Sequence, residues 1–246
     1  KEKIKDGQRV LVRLSRGSRG RFPLGEIILI LTNEDSLEAD FAVVQAEFDL
    51  PIGHPDGVVD EAAALPAVED GAAWPDRTDL RDLPTITIDP RDARDFDDAV
   101  SLEMLDGGRS RLGVHIADVS AYVQPGSLID QSAESRGTSI YLPGRVIPML
   151  PERLANDLCS LRPEEDRLAK SVFMVFSSEG KLIETEICRS VIRSKRRFTY
   201  GEALAILDSL EGRDVPAGDL PPDRADYEPI LERMAFLRDC LKDARA

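Results

Sequence analysis

Apolar and polar residues alternate from Gln8 to Arg16, and a second β-rich run covers Gly25 to Thr32 beyond a basic Gly17-Ser-Arg-Gly20 turn. This pattern predicts a hairpin. The period then lengthens: Leu37, Phe41, Val44 and Phe48 fall on one helical face behind a Ser36 cap, and Pro51 ends it. From Ile52 to Asp82 the chain is rich in Pro, Gly, Asp and Ala, with one helix-like stretch near Val58 to Leu65. It reads as a connector wrapping a neighbouring domain, with Trp74 as its packing anchor. Leu83-Pro-Thr-Ile-Thr-Ile88 is strand-like, and Ala99 to Leu105 with Arg111 to Ala117 form a hairpin about the Asp106-Gly107-Gly108 turn. Ser127 opens a helix that runs to Arg136 and stops at Gly137. Prolines then impose an extended path on Thr138 to Pro151.

Ser171 to Ser177 and Leu182 to Ile192 form a further strand pair about Ser178-Glu-Gly-Lys181. Thr199 and Glu202 have capping-box spacing, with Ala203, Leu204, Leu207 and Leu210 on one helical face behind them. A last helix, Asp226 to Ala244, aligns Tyr227, Ile230, Leu231, Met234, Leu237 and Leu241. The mixture of strands and helices predicts an α+β chain without internal repeats.

One segment carries candidate chemistry: Asp89-Pro-Arg-Asp-Ala-Arg-Asp95-Phe-Asp97-Asp98. If the chain leaves a strand at Asp89 and returns near Asp95, four carboxylates converge. Two unit charges about 4 Å apart repel by roughly 4 kcal/mol at an effective dielectric near 20, so such a group must take up protons or cations. Hard divalent ions such as Mg²⁺ or Mn²⁺ are the natural partners, and two of them suit an in-line phosphoryl displacement. The plainer reading is an exposed acidic loop. Against it, Phe96 and Ala99-Val-Ser-Leu102 embed the acids among core-like residues. Asp95-Phe-Asp97 could also be an Asp-x-Asp phosphatase nucleophile, but that motif should end an apolar strand, and Arg91-Asp-Ala-Arg94 precedes it.

Composition narrows the class. The 246 residues are 42% hydrophobic and 32% charged, as in a globular protein, with a net charge of −14. No apolar run approaches the ~18 residues of a membrane span, and Lys1-Glu-Lys-Ile-Lys-Asp6 lacks the apolar core of a signal peptide. Cys159, Cys188 and Cys240 are widely spaced and odd in number, which fits a reducing, cytoplasmic setting with no disulfide framework. A negative chain that binds nucleic acid needs local positive surface. Arg13, Arg16, Arg19 and Arg21, and Arg193, Lys195, Arg196 and Arg197, are the candidate patches. His115 and Asp118 could be taken for a metal pair, but a histidine in an alternating strand reads as structural. There is no Walker-type phosphate loop.

Thr87-Ile-Asp89, a five-residue spacer and Asp95-Phe-Asp-Asp-Ala99 resemble the catalytic signature of the ribonuclease II / ribonuclease R exoribonucleases. The likeness runs from about Gln8 to about Leu210, taking in Tyr141-Leu-Pro-Gly144 and Asn156-Asp-Leu-Cys-Ser-Leu161, and is strongest from Leu83 to Leu161. It implies a metal-dependent hydrolytic 3′-to-5′ exoribonuclease that acts on single-stranded RNA and releases nucleoside 5′-monophosphates with Mg²⁺ or Mn²⁺. Asp89, Asp95 and Asp98 would hold the metal and Asp97 would be catalytic. Tyr141 would lie near the RNA end, and Tyr200 beside the scissile-end nucleotides, favouring RNA over DNA. The implied fold is part of an OB or cold-shock-like β-barrel in residues 1–51, a connector in 52–82, and the N-terminal part of a mixed α/β RNB catalytic domain in 83–246. The family's catalytic domain is longer than this, so a fragment, an incomplete stretch or a divergent member is expected. A non-hydrolytic RNA-binding or assembly module on the same fold is the alternative; retention of all four aspartates argues against it. Neither membrane nor DNA is an expected partner.

Overall fold

The computed structural model describes residues 4, 6–8, 10–14, 24–30, 37–51 and 53–243. Its elements run β1 (Val10–Leu14), β2 (Gly25–Ile30), α1 (Leu37–Glu47), α2 (Asp56–Ala63), β3 (Thr78–Leu80), β4 (Thr85–Asp89), β5 (Asp98–Met104) and β6 (Ser110–Ala117). They continue with α3 (Leu128–Arg136), β7 (Ile140–Leu142), β8 (Arg145–Ile147), β9 (Asp166–Phe176), β10 (Leu182–Arg193), β11 (Arg196–Thr199), α4 (Tyr200–Leu210) and α5 (Glu228–Asp243). The chain divides into two units: residues up to His54 together with Ile140–Ile147, and Pro55–Ser139 together with the residues from Pro148 onward.

In the first unit β1 and β2 pair antiparallel, as the alternation predicts, with a register shift between Leu11 and Val12. β7 and β8 form a second antiparallel pair. Helix α1 buries Ala39 and Phe41, while Leu37 and Phe48, assigned to the same stripe, are exposed. The Arg145 guanidinium stacks 4.5 Å from the Phe41 ring centroid and lies 3.4 Å from Glu38, which ties β8 to α1. Among the described residues of this unit there is no closed barrel. The Gly17–Gly20 turn, the Ser36 cap and the arginines 16, 19 and 21 lie outside the described residues.

The second unit is built on a seven-stranded mixed sheet in the order β11-β4-β5-β6-β9-β10-β3. The two outermost pairings, β11 with β4 and β3 with β10, are parallel, and the others are antiparallel. Ile86, Leu102, Phe176 and Phe198 pack with Ile206 of α4 and with Ile230, Leu231 and Leu237 of α5. Ala99, Ala117, Leu168, Ala169, Val191 and Ile192 pack instead with Val58 and Ala62 of α2, Ile129 of α3 and the segment Leu154–Leu161, with Trp74 against the same cluster.

Local signals explain the element ends. The Ser127 hydroxyl accepts from the Asp130 amide at 3.1 Å, and Gly137 takes the left-handed conformation (φ 74°) that closes α3. Helix α4 has the full Thr199/Glu202 capping box. Its buried side chains are Ala203, Ala205 and Ile206, whereas Leu204 and Leu210 of the expected stripe are exposed. Thr199 is both the last residue of β11 and the helix cap, so the strand exit fixes the helix's rotation.

The connector is pinned by charge. Asp166, fully buried, accepts from the Gly71 amide at 2.7 Å and pairs with Arg81 at 3.0 Å and Arg193 at 2.7 Å. Nearby, Arg77 pairs with buried Asp118 at 2.8 Å and donates to the carbonyls of Ala169 and Ser190. A buried polar chain crosses four strands. His115 bonds Ser101 at 2.9 Å and Ser171 at 2.7 Å, and Ser171 bonds Ser190 at 2.6 Å. A side chain at Gly113 would run into the Ser101 hydroxyl and the His115 ring. Burial, with a smaller effect from Arg111, pushes His115 down to about 4, so it stands neutral at pH 7 as a strut of the sheet.

Candidate active site

The sheet delivers the acids to one end. Asp89 is the last residue of β4 and Asp98 the first of β5; Asp95 and Asp97 stand on the loop between them. The β4–β5 ladder ends at Ile86↔Val100, so the strands stop pairing before the carboxylates begin. On the far side of β4, the parallel register sets Thr199 against Asp89, which places Tyr200, 62% exposed at the start of α4, beside the acidic end. The four aspartates and Tyr200 therefore come together in the second unit. Tyr141 belongs to the first, on β7, where it too is exposed.

Electrostatics mark the acids as a group. Burial pushes the Asp89 carboxyl up, and the charges of Asp98 and Asp95 add to the rise, against the opposing pull of Thr87 and Arg197. Asp97 is open to solvent over much of its surface, yet burial of its carboxyl, followed by the charges of Asp95, Asp98 and Asp89, also pushes it up. The charges of Asp98 and Asp95 thus reach Asp89, and those of Asp95, Asp98 and Asp89 reach Asp97. Asp89 is only 8% exposed, and its Oδ2 has no hydrogen-bond partner among the described residues. The Thr87 hydroxyl faces it without a hydrogen bond of its own. An unpaired buried carboxylate oxygen is costly unless something positive meets it.

That orphan oxygen and the all-carboxylate donor set fit a hard divalent cation. Among the described residues no three acidic, histidine or cysteine side chains already stand in a metal-holding arrangement. Mg²⁺ commonly takes one or two carboxylates and completes its shell with water and substrate phosphates, which suits a site of this kind.

The loop is held from two sides. The Ser160 hydroxyl donates to the Arg94 carbonyl at 2.7 Å and accepts from the Phe96 amide at 3.1 Å, and the Leu161 amide donates to the Phe96 carbonyl at 2.8 Å. Opposite, Arg197 donates to the carbonyls of Pro90 and Arg91 and stacks 5.4 Å from the Phe96 ring centroid. The Ala117 amide fixes the Asp97 carbonyl at 2.9 Å, at the head of the β5–β6 ladder. Buried Cys159 is pushed up to about 12, by burial first and then by the charge of Asp97, and so remains a thiol. Neither Ser160 nor Arg197 was singled out in the sequence for holding the loop. Asn156–Leu161 was recognised there only as a motif, and Arg197 as part of a surface patch. That patch is largely spent on structure: Arg193 pairs with Asp166, and Arg196 with Glu202 and Asp223.

Residues 77–245 match the RNB domain family. Ribonuclease R of Chlamydia muridarum is 47% identical over 213 residues, which is 85% of this chain and 31% of that protein. The solved structure of Mycoplasma genitalium RNase R in complex with ribose-methylated single-stranded RNA superposes with a TM-score of 0.76 at 28% identity, over 91% of this chain and 33% of the other. The same enzyme in complex with double-stranded RNA gives 0.80 at 26% identity, over 98% and 42%. The chain thus spans about a third of the length of the curated relatives it matches. Among the described residues no helix is long and apolar enough to cross a membrane. With the aspartate signature standing at the end of an RNB-type sheet, this chain belongs to the ribonuclease II / ribonuclease R family of RNB-domain proteins.

Proposed function

We propose that this chain carries the active centre of a hydrolytic 3′-to-5′ exoribonuclease that releases nucleoside 5′-monophosphates from single-stranded RNA in the cytoplasm. The observation that carries this reading is the placement of Asp89, Asp95, Asp97 and Asp98 on one strand–loop–strand end of the sheet, where Asp89 and Asp97 feel the charges of the other acids and the Asp89 Oδ2 makes no hydrogen bond among the described residues. Asp89, Asp95 and Asp98 are the residues that would hold Mg²⁺ or Mn²⁺. Such an ion supplies Lewis-acid polarisation of the phosphate and a lower pKa for water. Asp97, on the loop beside those carboxylates and open to solvent, would orient the attacking water and accept its proton. Tyr200 offers an exposed ring and hydroxyl beside Asp89 for the ribose or base at the scissile end, and Tyr141 a second exposed ring for stacking on the strand. Residues 1–51 are read as a cold-shock-like piece, 52–82 as the connector and 83–246 as the N-terminal part of the catalytic domain.

The test is incubation of the chain with single-stranded RNA and Mg²⁺, with the released products separated by chromatography. Nucleoside 5′-monophosphates appearing from the 3′ end support the reading. RNA that is bound but left intact at every Mg²⁺ and Mn²⁺ concentration would instead identify a binding module.

A further inference from the structure

We propose that Ser160 is a positioning residue for the metal-holding carboxylates; this rests on the nuclease reading above. Loop 90–97 bears Asp95 and Asp97 and lies between strands that have already ceased to pair. Left to itself, a loop that gathers like charges would open and carry them apart. Ser160 opposes this with both capacities of one hydroxyl. It donates to the Arg94 carbonyl and accepts from the Phe96 amide, so the two peptide groups on either side of Asp95 are held by a single atom.

The anchor itself is stiff. Ser160 is fully buried, and its carbonyl accepts from Arg167 Nε at 2.8 Å. Its amide donates to the Asp157 carbonyl at 3.2 Å. Buried Cys159 and Leu161 on either side join the apolar cluster under α2 and α3. The position of Asp95, and with it Asp97, is thus referred to the core by one short link. Groups that orient ligands in this way typically change metal affinity by about 10–100-fold when removed.

The experiment measures Mn²⁺ affinity by electron paramagnetic resonance on the chain, on Ser160→Ala and on Ser171→Ala, with thermal unfolding alongside. Ser171, on β9, is an equally buried serine, hydrogen-bonded to His115 and remote in role from the loop. Ser160→Ala is expected to bind Mn²⁺ about tenfold more weakly. Ser171→Ala should lose comparable stability and keep the affinity of the parent. Parent-like affinity in Ser160→Ala, or an equal weakening in both variants, would overturn the positioning role while leaving the nuclease reading in place. A parent chain that binds no Mn²⁺ at all would overturn both.

Discussion

Two sets of acids in the second unit have opposite fates. Asp166 and Asp118 are enclosed by cations and neutral donors: Arg81, Arg193 and the Gly71 amide for the first, and Arg77, Lys170 and the Ser120 hydroxyl for the second. Burial works against their charge, but these partners outweigh it and hold both carboxyls below the usual range. Asp89 is instead pushed up by burial and then by Asp98 and Asp95, and Asp97 by burial and then by Asp95, Asp98 and Asp89; Arg197, the cation that opposes the rise at Asp89, is occupied with backbone carbonyls. Acids that the fold neutralises itself are supports, here fastening the connector to β9 and β10. Acids left in debt of positive charge await something from outside, and the contrast separates the two without any motif.

The contrast would break first at Asp97. Asp97→Asn should lower the rate of RNA hydrolysis by about a thousandfold while RNA affinity stays within a factor of about two. Single-turnover kinetics with a filter-binding assay measures both, and undiminished turnover would remove Asp97 from the chemistry. Next in size is Asp166→Asn, which takes the buried carboxylate away from Arg193 and Arg81 and leaves Arg81 with Asp79 and Arg193 with Asp70 at 4.0 Å. Urea unfolding should show a loss of about 2 kcal/mol, less than for a fully buried pair because both arginines are partly exposed, and no change in metal affinity.

The same pairing sets an acid limit. With their native pKa values lowered, Asp166 and Asp118 bind fewer protons folded than unfolded. Their stabilisation is complete above the ordinary aspartate pKa of 3.8 and is lost as pH falls through the lowered native values. The urea midpoint should therefore fall on acidification below about pH 4, less steeply in Asp166→Asn. The smallest effect is the most diagnostic of the unpaired set. In metal-free buffer at pH 7, Asp97→Asn should raise Tm by about 2 °C, since a repelling charge leaves a native state that gave it no partner. A fall in Tm would mean that Asp97 is structurally paired after all.

Short-range signals were legible in the sequence, and long-range ones were not. The Asp106–Gly108 turn, where Gly107 has φ 72°, the α3 caps and the Thr199/Glu202 box each depend on residues a few positions apart. The spacing of the four aspartates was likewise readable because strand, loop and strand are consecutive. The parallel pairings of β11 with β4 and of β3 with β10 join segments about a hundred residues apart, and nothing local announces them. Hidden for the same reason were the Arg81–Asp166–Arg193 buttress, the Ser160 link to loop 90–97 and the grouping of Ile140–Ile147 with the first unit. The exposed Leu204 shows a periodicity overruled by the strand from which its helix departs.

Because β11 runs without a linker into α4, spacing along 194–200 is dictated by the two-residue repeat of a strand. Deleting or inserting one residue there would turn Phe198 out of the core and swing the tyrosine that follows away from Asp89. Side chains in this stretch can be exchanged with graded consequences, whereas its length admits no gradation.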